Sequence, residues 1–308
     1  MTANPAVCIG SDNALVGLSA AAEILSSGGS ALDAVEAAAR VVEDEPTDHT
    51  VGYGGYPNLT GVVELDAGIM DGTSLAMGAV GALRGYRPAI TVARAVMEQL
   101  PHVLVVGQGA ADLAATLGLQ EEDLLTEEAA ATWRAGLAGH DIGDPLAAQM
   151  LRLVGALASD PDHVKGTVNV LARDQRGNLA VAVSTSGWAW KHPGRLGDSP
   201  VPGAGWWADT RYGAAGCTGF GELSIQAQTA RVVVRALADD VDVTTALARG
   251  IRDLGTVPGA AKGVMNIVAL RADGTHSGVS TEAGRNYAVW EEGSEPMLAP
   301  RAHQTVDG

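Results

Sequence analysis

The sequence is short of aromatic residues, of cysteine and of positive charge, and each shortage narrows what the chain can be. Aromatics make up 4% of the 308 residues, while glycine is abundant at 40. Many backbone segments are therefore expected to approach one another, or a ligand, closely. Only Cys8 and Cys217 are present, which excludes a disulfide framework. Cys217 sits in a glycine-rich segment and reads as a small buried residue, with a reactive thiol as the alternative. The 20 basic residues face 36 acidic ones, for a formal charge of −16. Such a chain repels polyanions, so neither nucleic acid nor an anionic membrane is expected as a partner. No run of about 18 apolar residues could cross a bilayer. Residues 1–29 also lack the basic stretch and unbroken apolar core of a secretory signal. A cytoplasmic protein is expected, and a composition that is 46% hydrophobic is enough to bury a large core.

Periodicity organises the first half. Residues 30–43, SALDAVEAAARVVE, predict a helix: Ser30 and Asp33 resemble a capping box, and Leu32, Val35, Ala39 and Val42 form an apolar stripe. The acidic EDEPTDH breaks it and leads into VGYGGYPN, a loop or tight turn. Residues 60–70 predict a strand, 89–99 and 108–118 helices, and 103–106 a short β-branched segment. From about 120 to 165 the chain is charged and punctuated by glycine, and it reads as an exposed connection, helical in part over 146–158. After Thr167 the pattern turns to β, with hairpins over 167–187 and 264–284. Helices follow over 223–238 and 244–254. This order implies helices packed on antiparallel sheets, an α+β fold, not a βαβ succession.

The first hairpin carries the chemistry. TVNVLAR and LAVAVST flank the turn DQRGN. Centring the turn on Arg176 pairs 173 with 179, 169 with 183 and 167 with 185. Opposed residues of antiparallel strands put their side chains on one face about 5 Å apart, so Thr167 and Thr185 bring two hydroxyls together. A threonine alcohol is a weak nucleophile without a base. An N-terminal threonine supplies one in its own α-amine, with a pKa of about 7.7–8.0. Here that amine is locked in the Gly166–Thr167 peptide bond. Self-cleavage at that bond would release it, and a glycine before the nucleophile leaves the carbonyl open to attack. The competing interpretation is a purely structural Thr–Thr pair, which also stabilises sheets.

Two further segments bear on a ligand. In WAWKHPGRLGDSPVPGAGWWAD, Arg195 and Asp198 stand three apart with Leu196 and Gly197 between them. They suit a zwitterionic amino acid, the guanidinium on its carboxylate and the aspartate on its ammonium; a mutual surface ion pair is the alternative. In CTGFGE, residues 217–222, Thr218 and the alternating glycines can face a developing oxyanion. The segment lacks the spacing and the lysine of a phosphate loop. There is no HExxH, no pair of cysteines or histidines at metal-ligand spacing and no GxSxG elbow. No metal and no cofactor are expected.

Taken together, GGSALDAVEAAARVVEDE, VGYGGYPN, LDAGIMDGTSLAMGAVGALRG, GTVNVLARDQRGNLAVAVSTSG, GRLGDSPVPGAGWWAD and CTGFGE resemble the asparaginase-like N-terminal nucleophile hydrolases, which include glycosylasparaginase and plant-type L-asparaginase/isoaspartyl peptidase. The resemblance covers most of the chain. It implies a four-layer αββα sandwich and a precursor cut into halves 1–166 and 167–308. The halves would remain one structural domain and assemble as a dimer of cleaved αβ heterodimers. It implies that Thr167 is the nucleophile, that Thr185 tunes it, and that Thr218 and Gly219 form the oxyanion hole. Phe220 and Gly221 complete that loop. Arg195 and Asp198, with Leu196 and Gly197, hold the substrate's α-amino acid end. Thr50 falls where the family has a small polar residue near the nucleophile. The implied reaction hydrolyses the side-chain β-amide of asparagine-type substrates, N4-glycosylasparagine or L-asparagine, and releases aspartate. The alternatives are an isoaspartyl dipeptidase and, in another class, an uncleaved amino-acid-binding relative.

The sequence departs from the glycosylasparaginase pattern in several places. Gly166, preceded by Lys165, stands where those enzymes carry aspartate before the nucleophile. CIGSDNAL offers no tryptophan near the N-terminus. Trp188, Trp190, Trp206 and Trp207 are expected either to line a leaving-group pocket or to pack in the core. Phe220 is larger than expected for its loop.

Overall fold

The computed structural model describes residues 5–138, residue 154 and residues 166–306. Lys165, and the helix expected over 146–158 apart from residue 154, lie outside the described residues.

The strands are β1 (Val7–Ser11), β2 (Leu65–Asp71), β3 (Met77–Leu83), β4 (Leu104–Val106), β5 (Val168–Arg173), β6 (Leu179–Thr185), β7 (Trp206–Asp209), β8 (Gly213–Gly219), β9 (Met265–Arg271), β10 (His276–Ser280), β11 (Asn286–Glu291), β12 (Met297–Pro300) and β13 (Ala302–His303). The α-helices are α1 (Leu18–Ser26), α2 (Ala31–Glu43), α3 (Ala89–Gln99), α4 (Gln108–Thr116), α5 (Glu127–Leu137), α6 (Gly221–Ala227), α7 (Thr229–Ala238) and α8 (Val243–Leu254). Among the described residues the strands form two sheets. One has the order β12-β11-β1-β5-β6-β2-β3-β4 and the other β13-β10-β9-β8-β7. Pairing is antiparallel except for β3 with β4 and β10 with β13.

Alternation along the strands decides what each face covers. In the β5–β6 hairpin, Val168, Val170, Ala172, Ala180 and Ala182 pack with Val35 and Val42 of α2. Leu171, Leu179, Val181 and Val183 instead meet Trp206, Val268 and Leu270 of the other sheet. A third cluster joins Cys217, Met265 and Ile267 to Val233 of α7 and Leu247 of α8. Period-two alternation puts Thr167 and Thr185 on the face that meets the second sheet. The contact is close: a β-carbon on Gly216 would lie 2.9 Å from the Asn169 side chain. The protein is thus a mixed α+β structure, with apolar clusters on both faces of each hairpin-built sheet.

Several elements follow their sequence signals. The Ser30 hydroxyl accepts from the Asp33 amide and caps α2, and α3 spans Ala89–Gln99. Others differ. The strand expected over 60–70 begins only at Leu65. Before it, the Asn58 carboxamide oxygen accepts from the Thr60 and Val62 amides and holds a turn. Within the stretch read as an exposed connection, residues 127–137 form α5, capped by the Thr126 hydroxyl. Its buried stripe is only Ala129, Ala130 and Leu137, too small to stand out among the surrounding charges. The helix expected over 223–238 is two helices, broken where Gln228 adopts φ 54°.

Candidate active site

The hairpin register is the expected one: Val168 opposes Ser184, Asn169 opposes Val183 and Arg173 opposes Leu179. Continued by one residue it sets Thr167 beside Thr185. Both hydroxyls converge on a single atom. Thr167 Oγ1 donates to the Gly166 carbonyl oxygen at 2.7 Å, and Thr185 Oγ1 lies 3.0 Å from the same oxygen. Thr185 accepts from the Gly187 amide at 2.9 Å, which commits a lone pair. Its one proton is then shared between the carbonyls of Gly166 and of Thr50, the latter 3.1 Å away. Thr167 is 7% exposed.

Thr50 closes the other side. Its amide and its hydroxyl both donate to Asp48 Oδ1, the hydroxyl in a short bond. Asp48 Oδ2 accepts from Asn13 Nδ2 at 2.7 Å, and Asn13 Oδ1 accepts from the Ser11 hydroxyl. The Ser11 hydroxyl in turn accepts from the Asn169 amide. A chain of hydrogen bonds therefore runs from β5, two residues past Thr167, back to the side chain that touches Gly166. Sequence reasoning missed Asp48, although Asp-x-Thr, with the aspartate bonding the amide two residues on, is a recognisable turn signature.

Thr218 and Asn266 oppose each other across β8 and β9 and face the interface between the sheets. The Thr218 hydroxyl makes no hydrogen bond among the described residues. With Thr50, Gly166, Thr167, Gly219 and Asn266, it lines a cavity of about 550 Å³. That volume is in the range of small-ligand sites. Gly219 has φ 122°, and a β-carbon there would overlap the Val264 carbonyl, so this bend of the loop requires glycine.

The Arg195–Asp198 pair is not a surface ion pair. Arg195 gives its Nε and Nη2 to Glu222 at 2.9 and 2.8 Å and lies 4.4 Å over the Trp188 ring. This leaves Nη1 for another acceptor and fixes the guanidinium plane. Asp198 is 4% exposed and its Oδ2 has no partner. Burial pushes its carboxyl up to about 6, against the opposing pull of Arg195. A β-carbon on Gly221 would lie 2.8 Å from Asp198 Oδ1, so Gly221 lets the loop of Thr218 approach this carboxylate. The Gly197 amide donates to buried Asp66. Leu196 turns away: its methyls pack at Gly81 and it lines a separate cavity with Arg84 and Gln108. Neither Arg195 nor Asp198 lines the cavity beside Thr167.

The aromatics divide. Trp206 and Trp190 are core residues, and Trp207 lies under Arg231. Trp188 packs against Phe220 with ring centroids 4.8 Å apart and the planes tilted by 57°, so the large residue in the CTGFGE loop is matched by a tryptophan beside Arg195. Cys8 and Cys217 are both buried, and burial drives both thiols up, away from the thiolate. Among the described residues no cluster of three or more His, Cys, Asp or Glu has the arrangement of a metal site, and no helix is long and apolar enough to cross a membrane.

A family model described as asparaginase matches residues 13–297. The N(4)-(beta-N-acetylglucosaminyl)-L-asparaginase of Elizabethkingia miricola is 37% identical over 283 residues, 90% of this chain and 79% of that protein. The isoaspartyl peptidase/L-asparaginase of Mus musculus is 40% identical over 215 residues, 69% of this chain but 61% of its own length. The human protein of that name is 36% identical over 273 residues, 88% of this chain and 83% of the relative. Matched across most of its length by that model and by these relatives, the chain belongs to the asparaginase family.

Proposed function

We propose that the chain is an amidohydrolase of the N-terminal nucleophile type. It cuts itself between Gly166 and Thr167, and the freed Thr167 then hydrolyses the side-chain β-amide of asparagine-type substrates. The observation that carries this is the convergence of the Thr167 and Thr185 hydroxyls on the Gly166 carbonyl oxygen. In the first step Thr167 Oγ1 bonds to the Gly166 carbonyl carbon, the C–N bond breaks, and the hydroxyl proton passes to the new amine. Thr185 donates to the carbonyl oxygen as negative charge builds on it, an interaction worth roughly 10²- to 10³-fold in rate. Water then hydrolyses the ester and leaves two halves, 1–166 and 167–308.

In turnover the α-amine of Thr167 takes the hydroxyl proton, and Oγ1 attacks the substrate's β-carbonyl. Thr218 and Gly219 receive the oxyanion, and the protonated amine gives its proton to the departing nitrogen. Water releases aspartate from the β-aspartyl ester. Arg195 holds the substrate's α-carboxylate through Nη1, with Glu222 keeping the guanidinium in plane. The unpartnered Asp198 Oδ2 receives the α-ammonium. Neither step, so written, calls on a metal.

The names of the relatives extend the reading to glycosylasparagine, asparagine and isoaspartyl peptides as competing substrates. The two sheets, with apolar clusters against helices on their outer faces, support the αββα sandwich of these hydrolases. The cleaved halves pair into a dimer of heterodimers on this view. The test is aspartate release from asparagine, β-aspartyl dipeptides and glycosylasparagine by purified cleaved protein. At least one is turned over, Arg195→Lys raises KM, and Thr167→Ala is inactive on all. Release of no aspartate from any of them would overturn the reading.

A further inference from the structure

The cavity beside Thr167 is larger than an ammonia leaving group needs, and one of its walls holds a buried cation without a counterion. Arg301 is 8% exposed. Its Nε donates to the Asn286 carbonyl at 2.7 Å and its Nη1 to the Ile267 carbonyl at 3.2 Å. Its Nη2 makes no hydrogen bond among the described residues, and no carboxylate there comes within ion-pair distance of the guanidinium. Burial lowers its pKa to about 10, partly offset by Asp12, so it stays charged at neutral pH. Two backbone carbonyls thus aim a guanidinium into a cavity of about 550 Å³ that Thr167 also lines.

Asn266 stands next to it, one residue before the Ile267 carbonyl that anchors Arg301. It opposes Thr218 in the β8–β9 pairing, and its carboxamide oxygen is buried without a partner. The remaining charged groups at the cavity are accounted for or set apart. Arg285 gives its Nε and Nη2 to Glu282 at 2.7 and 2.5 Å. Asp48 is held by Thr50 and Asn13. Asp12 and Glu45 line the cavity without forming an ion pair with Arg301 among the described residues.

The position of this cation defines what it reads. Resting on the proposed function, a β-amide at Thr167 has two ends, and Arg195 with Asp198 takes the α-amino acid end. Those two residues do not line this cavity, so the cavity receives the departing amine. We propose that Arg301 forms a subsite for a carboxylate carried by the leaving group, while the Asn266 carboxamide oxygen beside it, an acceptor, takes an N–H of that group. The enzyme is then tuned to β-aspartyl amides of amino acids over amides that release a neutral or bare amine. A charge-assisted bond from a desolvated guanidinium is among the stronger single contacts available to a ligand.

The test compares β-aspartyl-glycine with β-aspartyl-glycinamide, whose leaving groups are of nearly equal size but differ in terminal charge. The less basic amine of the amide would by itself favour the amide, so a preference for the acid runs against it. Wild-type kcat/KM favours the acid by about tenfold or more, as expected for one such contact. In Arg301→Gln the ratio of the two falls toward 1, and Arg301→Lys restores part of it. Equal rates on acid and amide in the wild type would overturn the subsite even if both glutamine and lysine variants failed to fold. So would a ratio that survives Arg301→Gln. Turnover of asparagine with no preference for the acid would sink the subsite and leave the hydrolase reading standing. Turnover of no β-amide would sink both.

Discussion

The side chain of Thr50 fills the space that a β-carbon on Gly166 would need. Its Cβ, Oγ1 and Cγ2 would all overlap such an atom, and the carboxylate of Asp48 pins Thr50 there. Glycine before Thr167 is therefore set by sterics, whatever part its flexibility also plays. Gly166→Ala is expected to cost about 1–3 kcal/mol, the range for overpacking a filled site, and to leave the chain uncut. Thr50→Gly empties the space, so the double variant recovers most of the lost stability. A double-mutant cycle by denaturant melts measures the coupling, and additive effects would contradict the steric account.

Thr185 touches the Gly166 carbonyl, and its part in the proposed self-cleavage can be tested by the rate of that step alone. Thr185→Val keeps the shape but removes the donor, and cleavage is expected to slow by roughly 10²- to 10³-fold. Thr185→Ser retains the donor and most of the rate. A time course of fragment appearance on denaturing gels reads both.

Much of this site was legible in the sequence because it lies on a local element. The turn DQRGN fixes the register of β5 and β6, and register alone puts Thr167 beside Thr185. The Ser30 cap likewise marks the start of α2. What the sequence hid depends on long-range packing. Glu222 takes one edge of Arg195 from 27 residues away, and Arg301 reaches Ile267 from the single residue between β12 and β13. A single arginine near the C-terminus carries no pattern to single it out. Helix α5 was missed for a different reason: its small alanine stripe is hidden among charges.

Asp198 predicts a pH profile. Burial raises its carboxyl to about 6, and it must be ionised to receive an ammonium group. For a zwitterionic substrate, kcat/KM is expected to rise as pH increases through about 6. A second rise follows as the Thr167 amine loses its proton, near 7.7–8.0 if unperturbed. Succinamate, which has the amide but no α-amine, should lack the first rise. The same lower step on both substrates would assign it to another group.

Glu43 predicts an opposite trend in stability. It is fully buried, with Oε1 accepting from Ser184 and the Ile90 amide and Oε2 unpartnered. Burial raises its carboxyl to about 8. Between its ordinary value near 4.5 and about 8, the unfolded chain has released a proton that the folded chain keeps. Stability therefore falls as pH rises through that window, by up to about 1.4 kcal/mol per pH unit from this group. Glu43→Gln should flatten the slope, as read from urea midpoints between pH 5 and about pH 8.

The central claim is that Thr167 becomes an N-terminal nucleophile by cutting the chain before itself. Intact mass and N-terminal sequencing of freshly purified wild type beside Thr167→Ala test it most directly. The account predicts two fragments from the wild type, the smaller beginning at Thr167, and a single uncut species from the variant. A wild-type chain that stays whole on prolonged incubation, or a cut that persists in Thr167→Ala, would contradict it.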